Sequence, residues 1–340
     1  RSRNHFLMEQ KSHSVAVIGG GSFGTALTKI FSDTLGHCAW WMHNSESAMH
    51  VMRYHHNPRY LSSVGFKPEA ISVFTDIEAC VAEADIVVLA VPSAFVKEVL
   101  ADLDPALLRK KIVATAIKGI IPDENMIVGR YLNEILEVPE EQIVVITGPC
   151  HAEEIALERL SYLTVAAREK SVAKMVAQCM ESHYMKCTLS DDLYGTEYAA
   201  VLKNIYAIAA GMYHGLGYGD NFQAVLMSNA AREMNRFMKA VSDTKVNINK
   251  TAYLGDLLVT GYSQFSRNRM LGNMLGKGYT VKSAKAEMTM VAEGYYAVPL
   301  VHKLRRKREV KMPIVKAVHA VLYDGKSAKK EMAKLAQKLG

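Results

Sequence analysis

The sequence predicts an α/β chain: a doubly wound, mostly parallel sheet in the first half, and a second half that is all helical. Three observations predict it. Short β-rich runs alternate with helical stretches as far as about residue 195. From Thr196 onward, alanine, methionine and leucine at helical spacing replace them. Near the start, the glycine turn Gly19-Gly20-Gly21-Ser22-Phe23-Gly24 follows directly on the apolar run 15–18 and leads into a helical pattern. The 340 residues suffice for two domains with separate cores. We place a dinucleotide-binding, Rossmann-type domain at residues 8–195 and a helical domain at 196–340.

Each element has its reason. Residues 15–18 are apolar throughout, as a strand covered by helices on both faces should be. In the turn that follows, Gly19 allows the sharp bend, Gly21 lets backbone approach a pyrophosphate, and Gly24 lets the helix pack closely on the strand. The free N–H groups at that helix start, with Ser22 and Phe23, would face the anion. The second strand, 38–42, carries Trp40 and Trp41, one for each face of the sheet. It ends in His43-Asn44, with no carboxylate before Glu46. A carboxylate there would bind the ribose hydroxyls of NAD and repel the 2′-phosphate of NADP; without one, NADP is tolerated beside NAD. Residues 76–84 read as a helix from the spacing of Ile77, Cys80 and Val81.

Further strands are expected at 85–91, leaving through Val91-Pro92-Ser93, and at 111–116, followed by Lys118-Gly119. Lys118 reads equally as a surface charge or as a group near the nicotinamide end. The run 143–147 enters the turn Gly148-Pro149-Cys150-His151-Ala152, and a helix with acids in its first turn comes next. Adjacent Cys150 and His151 do not make a thiol dyad, because adjacent residues seldom form a productive pair and no acid is placed to orient the imidazole. Weaker runs at 162–167 and 184–189 could extend the sheet. In the second half, helices are expected at 198–212, 224–241, 281–296 and 313–323, the first of them packed on the sheet without a linker. Lys203 interrupts the first, either reaching out to water or held in a site. Asp256 stands alone between apolar stretches, and Ser266-Arg267-Asn268-Arg269 offers a guanidinium and an amide suited to phosphate oxygens. The eighteen methionines sit mostly at core spacing and read as packing.

Bulk properties exclude several classes. The net charge of +7 is spread along the chain, and its one dense cluster, residues 303–308, lacks interleaved aromatics. It reads as a solvated helix face, so no nucleic-acid partner is expected; a basic balance also suits anionic, phosphorylated ligands. Five cysteines with no C-x-x-C spacing suggest neither disulfides nor structural zinc, and a cytoplasmic, reducing setting fits best. No metal is expected. No apolar run reaches 18 residues, so no membrane span is expected, and residues 1–7 lack the apolar core of a signal peptide.

Nine short motifs occur in one order: Gly19 to Gly24, Val91-Pro92-Ser93, Lys118-Gly119, Gly148-Pro149, Leu202-Lys203-Asn204, Gly215-Leu216-Gly217, Leu254-Gly255-Asp256-Leu257, Ser266-Arg267-Asn268-Arg269 and Val291-Ala292-Glu293-Gly294. In that order, over residues 15–326, the chain resembles the bacterial NAD(P)-dependent glycerol-3-phosphate dehydrogenases. The resemblance implies reversible reduction of dihydroxyacetone phosphate to sn-glycerol 3-phosphate, the entry to glycerophospholipid synthesis. It implies Lys203 as proton donor and acceptor. It implies substrate contacts at Lys118, Gly148, Cys150, Lys203, Asp256, Ser266, Arg267 and Asn268. Cofactor contacts are implied at Ser22, Phe23, His43, Lys118, Ala152, Arg267, Val291 and Glu293, beside the glycines Gly19, Gly21 and Gly24. The oligomeric state stays open, a homodimer included.

The chain departs from the family pattern in three places. Cys150 stands where members usually carry Ser or Thr. Ser228-Asn229-Ala230 replaces the usual Thr-Arg-Gly, so an arginine is absent, and Tyr198-Ala199-Ala200 replaces a more glycine-rich approach to the lysine. Two rival readings are a related two-domain hydroxyacid dehydrogenase and a catalytically silent NAD(P)H-sensing module. Substrate charge separates the first rival, and turnover the second.

Overall fold

The computed structural model describes residues 12–263, 266–290 and 292–340. Among the described residues, ten strands occur in chain order: β1 (Val15–Ile18), β2 (Cys38–Trp41), β3 (Ile71–Phe74), β4 (Ile86–Leu89), β5 (Ile112–Thr115), β6 (Ile120–Ile121), β7 (Met126–Ile127), β8 (Ile143–Thr147), β9 (Ser161–Ala167) and β10 (Met185–Ser190). Eight of them form one sheet in the order β10-β9-β8-β5-β4-β1-β2-β3, while β6 and β7 make a separate two-stranded ribbon. All neighbours in the large sheet are parallel except β8 and β9, so the last two strands run against the rest. Strands β1, β2, β4 and β8 are buried at every residue, as expected of strands covered on both faces. Sequence reading missed β3. It is an edge strand, half-buried over three of its four residues, and so lacks the continuous apolar run that marks its neighbours.

The strand order reverses between β1 and β4, and the loops that leave their carboxyl ends diverge there and open a crevice. Gly19 sits at φ 140°, and a Cβ on it would stand 2.2 Å from the Ala90 carbonyl oxygen. A Cβ on Gly24 would stand 2.2 Å from the Gly19 oxygen, so the helix Ser22–Leu35 touches the end of β1 with no room to spare. Gly24→Ala should therefore push the helix off the strand. We expect a loss of about 1–3 kcal/mol or more in stability, read by chemical denaturation, together with loss of dinucleotide binding. Trp40 and Trp41 point into the cores on opposite faces, each indole N–H satisfied by a carbonyl, Gly19 at 2.8 Å and Thr75 at 2.9 Å.

The helical half starts with Leu193–Gly215, mostly apolar and buried at 20 of its 23 residues, Glu197, Lys203 and Asn204 among them. Asp192 caps it by accepting the Gly195 N–H, and Ser242 and Tyr253 donate their hydroxyls to the same carboxylate, each at 2.6 Å. This helix and one face of the sheet share a single continuous core, which is why no linker separates the halves. The helix Arg267–Gly276 crosses it at backbone contact: a Cβ on Gly272 would lie 2.0 Å from the Ile208 oxygen, and one on Gly211 2.1 Å from the Arg269 oxygen.

The helix expected at 281–296 is in fact two. Val281–Glu287 ends, and Glu293–Lys307 begins after a break. A continuous helix would keep Glu293 and Gly294 in mid-run. The restart puts both in a first turn, where Ser93 and Asn268 engage them as described below. The basic residues 305–307 close this helix, where cations suit its dipole. Among the described residues, no helix is long and apolar enough to cross a membrane.

Candidate active site

The crevice has a volume of about 250 Å³. Residues 21–23, 90–92, 116–118 and 150–153 line it from the sheet half. Residues 203, 204, 260, 266–268, 290 and 293 line it from the helical half. Lys203 and Asn204 come from the buried helix, and residues 266–268 from the start of the helix that crosses it, so the glycine contacts between those two helices set their spacing.

Lys203 is 8% exposed and its ammonium pairs with Asp256 Oδ1 at 2.5 Å; Asp256, 1% exposed, opens the helix Asp256–Tyr262. Burial pulls the Lys203 pKa down, Asp256 opposes this and nearby Lys118 adds to it, leaving the lysine at about 8. Lys118 donates to the Gly148 carbonyl at 3.2 Å, and its ammonium lies 5.4 Å over the Phe23 ring. Its own carbonyl accepts from the Asn204 amide at 2.6 Å, tying the two halves together beside Lys203.

Two more links cross the crevice. Arg267 donates to the Ser22 hydroxyl at 3.0 Å, next to the glycine turn. Glu293 accepts the Ser93 backbone N–H at 2.9 Å and the Ser93 hydroxyl as well, and burial raises its pKa. A Cβ on Gly119 would lie 2.2 Å from Glu293 Oε2, so Lys118-Gly119 leaves room for this latch. Ser266 caps its helix by accepting the Arg269 N–H, and Asn268 accepts the Gly294 N–H at 2.8 Å, which fixes the orientation of its amide.

The structure thus brings together most of the residues singled out from the sequence, with exceptions. Gly19, Gly24, Gly148 and Asp256 shape the crevice from behind its lining, and Ala152 borders it at the start of a short helix. His43 is elsewhere: exposed beyond β2 and tilted against the Trp41 ring, it borders a separate depression of about 160 Å³ with Asp76, Glu98 and Asp102. Cys150 is in the wall, but its thiol donates to the Tyr162 carbonyl at 3.1 Å, and burial pushes its pKa up to about 11. Val291 lies outside the described residues. Ser228 and Asn229, where the family arginine is missing, do not line the crevice.

Sequence reasoning missed Thr260 and His151. Thr260 follows Asp256 by one helical turn, so the spacing was available as a signal. From sequence, His151 reads only as a neighbour of the Cys150 thiol. Burial, Lys203 and Lys118 together hold its pKa down at about 4, so it is neutral at working pH.

A strand order that reverses beside a glycine turn, with a buried lysine lining the same crevice, is the arrangement of a dinucleotide-dependent oxidoreductase. Comparison with known proteins narrows the class. Family models described as NAD-dependent glycerol-3-phosphate dehydrogenase N-terminus and C-terminus match residues 14–173 and 192–333. The chain is 34% identical over 314 residues to the glycerol-3-phosphate dehydrogenase [NAD(P)+] of Bacillus subtilis, covering 92% of this chain and 90% of the relative. It is 36% identical over 318 residues to that of Bacillus licheniformis, with the same coverage. The crystal structure of glycerol-3-phosphate dehydrogenase from Coxiella burnetii superposes with a TM-score of 0.87 at 27% identity, over 95% of this chain and 98% of that one. The chain belongs to the NAD-dependent glycerol-3-phosphate dehydrogenase family. A ketopantoate reductase from Ralstonia eutropha shares the fold alone, at a TM-score of 0.61 and 16% identity over 95% of this chain and 99% of that one.

Proposed function

We propose that this crevice interconverts dihydroxyacetone phosphate and sn-glycerol 3-phosphate with NAD(H) or NADP(H), and that Lys203 moves the proton. The observation that carries the reading is the buried Lys203–Asp256 pair, set in one crevice with the glycine turn and Arg267. The residues fit a dinucleotide. Among the described residues, nothing beyond its own chain neighbours lies within 4 Å of where a Gly21 Cβ would stand, and the helix starting at Ser22 has no side-chain cap at Gly21. Gly19, Gly21, Ser22, Phe23 and Gly24 would hold the pyrophosphate, His43 the adenosine end, and Lys118, Ala152 and Glu293 the nicotinamide end. Bound there, the reduced nicotinamide supplies a hydride to the ketone carbon.

The protein's own groups do the rest. As charge grows on the ketone oxygen, the Lys203 ammonium stabilises it and gives up its proton, with Asp256 keeping the lysine charged and oriented. Arg267, Asn268 and Ser266, at a helix start, hold the phosphate, so binding energy remote from the reacting carbon aligns the ketone. Lys118 adds positive charge beside the oxygen, and the Gly148 and Cys150 backbone completes the wall. Residues 8–195 would then be the dinucleotide domain and 196–340 the substrate domain, a division supported by the two family-model matches. All five cysteines carry free thiols, which supports a cytoplasmic setting; the family supports a place in phospholipid synthesis.

The test is nicotinamide absorbance with dihydroxyacetone phosphate as a function of pH. Reduction needs the protonated lysine and oxidation the neutral one. We therefore expect ketone reduction to fall as pH rises through about 8, and glycerol 3-phosphate oxidation to rise through the same value. No turnover with either nucleotide, or reduction only of carboxylate-bearing ketones, would overturn the reading.

A further inference from the structure

Dihydroxyacetone phosphate offers three points to a protein: the phosphate, the ketone oxygen and the free hydroxyl on the other carbon. Under the proposed function, on which this inference rests, the helical wall grips the phosphate through residues 266–268, and Lys203 takes the ketone oxygen. The hydroxyl points away from the phosphate and needs a partner on the sheet-side wall, residues 150–153. Cys150 is poorly suited, because its S–H is committed to the Tyr162 carbonyl. The side chain of Ala152 has no polar atom. Glu153 would add negative charge beside a phosphorylated ligand.

We infer that the His151 imidazole is the residue that reads the free hydroxyl and so sets the enzyme's preference for a hydroxylated three-carbon ketone phosphate. Its backbone stands at the turn into the helix Ala152–Ala156, in extended conformation at φ −99° and ψ 139°, and the residue lines the crevice with its Nε2 buried in the wall. It lies within electrostatic reach of Lys203, Lys118 and Asp256, the groups that surround the ketone. A neutral imidazole can both donate to and accept from a hydroxyl, which no lysine or arginine in the crevice can do. It also adds no third positive charge beside Lys203, so it leaves that lysine's proton affinity alone. His151 is thus a specificity residue, separate from the proton-transfer pair.

The experiment compares dihydroxyacetone phosphate with acetol phosphate, the same ketone phosphate bearing a methyl group in place of the hydroxymethyl group. Sites built to hydrogen-bond a substrate hydroxyl reject the analogue that lacks it. The wild-type enzyme should favour dihydroxyacetone phosphate in kcat/KM by well over about 10-fold. His151→Phe should lose most of that preference, chiefly through a higher KM for dihydroxyacetone phosphate. Its KM for nucleotide and its kcat/KM for acetol phosphate should stay within about 3-fold of wild type, a rate difference worth less than about 1 kcal/mol. His151→Gln, which keeps a donor and an acceptor, should recover much of the preference; this separates hydroxyl reading from mere space filling. Undiminished preference in His151→Phe overturns the inference and leaves the proposed function standing, with Thr260 or Asn268 as the reader. Equal losses on both ketones in both variants mean a structural role only, and also overturn it. Wild-type enzyme inert to both ketones defeats the proposed function itself.

Discussion

Lys203→Ala should lower kcat for dihydroxyacetone phosphate reduction by about 10²–10⁴-fold while nucleotide binding, followed by nicotinamide fluorescence, stays near wild type. The lysine pairs with Asp256 and takes no part in the glycine turn or the Arg267–Ser22 bond, so its loss leaves both in place. It also strands Asp256, which is 1% exposed and has lost its counter-charge. Breaking a buried pair in this way costs about 3–5 kcal/mol, so the variant should melt lower. Lys203→Met, which restores much of the volume, should be equally inactive. If either variant keeps more than a tenth of wild-type turnover, the proton comes from elsewhere.

Asp256→Asn should have a different signature. The carboxylate is the main influence holding the Lys203 pKa up against burial and Lys118. Without it the lysine loses its proton at lower pH, and the falling limb of ketone reduction moves from about 8 toward the acid side. Each pKa unit of displacement is about a 10-fold loss of protonated lysine well above the limb, so reduction at pH 9 and higher should fall by about that factor for each unit, and by less at pH 8. Acidification should restore part of the rate. Oxidation of glycerol 3-phosphate, which uses the neutral amine, should suffer less near neutrality. A merely misfolded variant would lose both directions together at every pH. An unshifted limb would show that Asp256 does not control the lysine's charge.

The two variants probe a pair whose meeting no local pattern encodes, although a carboxylate such as Asp256 is the group expected to keep Lys203 charged. Leu202-Lys203-Asn204 and Gly255-Asp256-Leu257 are 53 positions apart, and nothing in either segment states that their side chains meet. The lysine alone reads equally as a chain reaching for water. Arg267 and Ser22 are 245 positions apart, and Glu293 and Ser93 are 200 apart. Those links depend on the helical half lying over the sheet, and no local pattern encodes that placement. The same limit explains the misread helix at 281–296. Its periodicity is helical on both sides of the break, and only the groups across the crevice require a restart at Glu293.

Sequence by itself determined the alternation of buried strands and helices, the glycine turn, the change to an all-helical second half and the family resemblance. These follow from near-neighbour chemistry, where apolar runs, periodicity and backbone freedom are written residue by residue. Tertiary structure decided the sheet order with its edge strand β3 and reversed β9 and β10. It also decided the charge pair at the crevice floor, the commitment of Cys150 to the Tyr162 carbonyl and the arrival of His151 at the wall. Proton affinity and hydrogen-bond availability depend on what a side chain is buried against, and burial is a property of the folded whole.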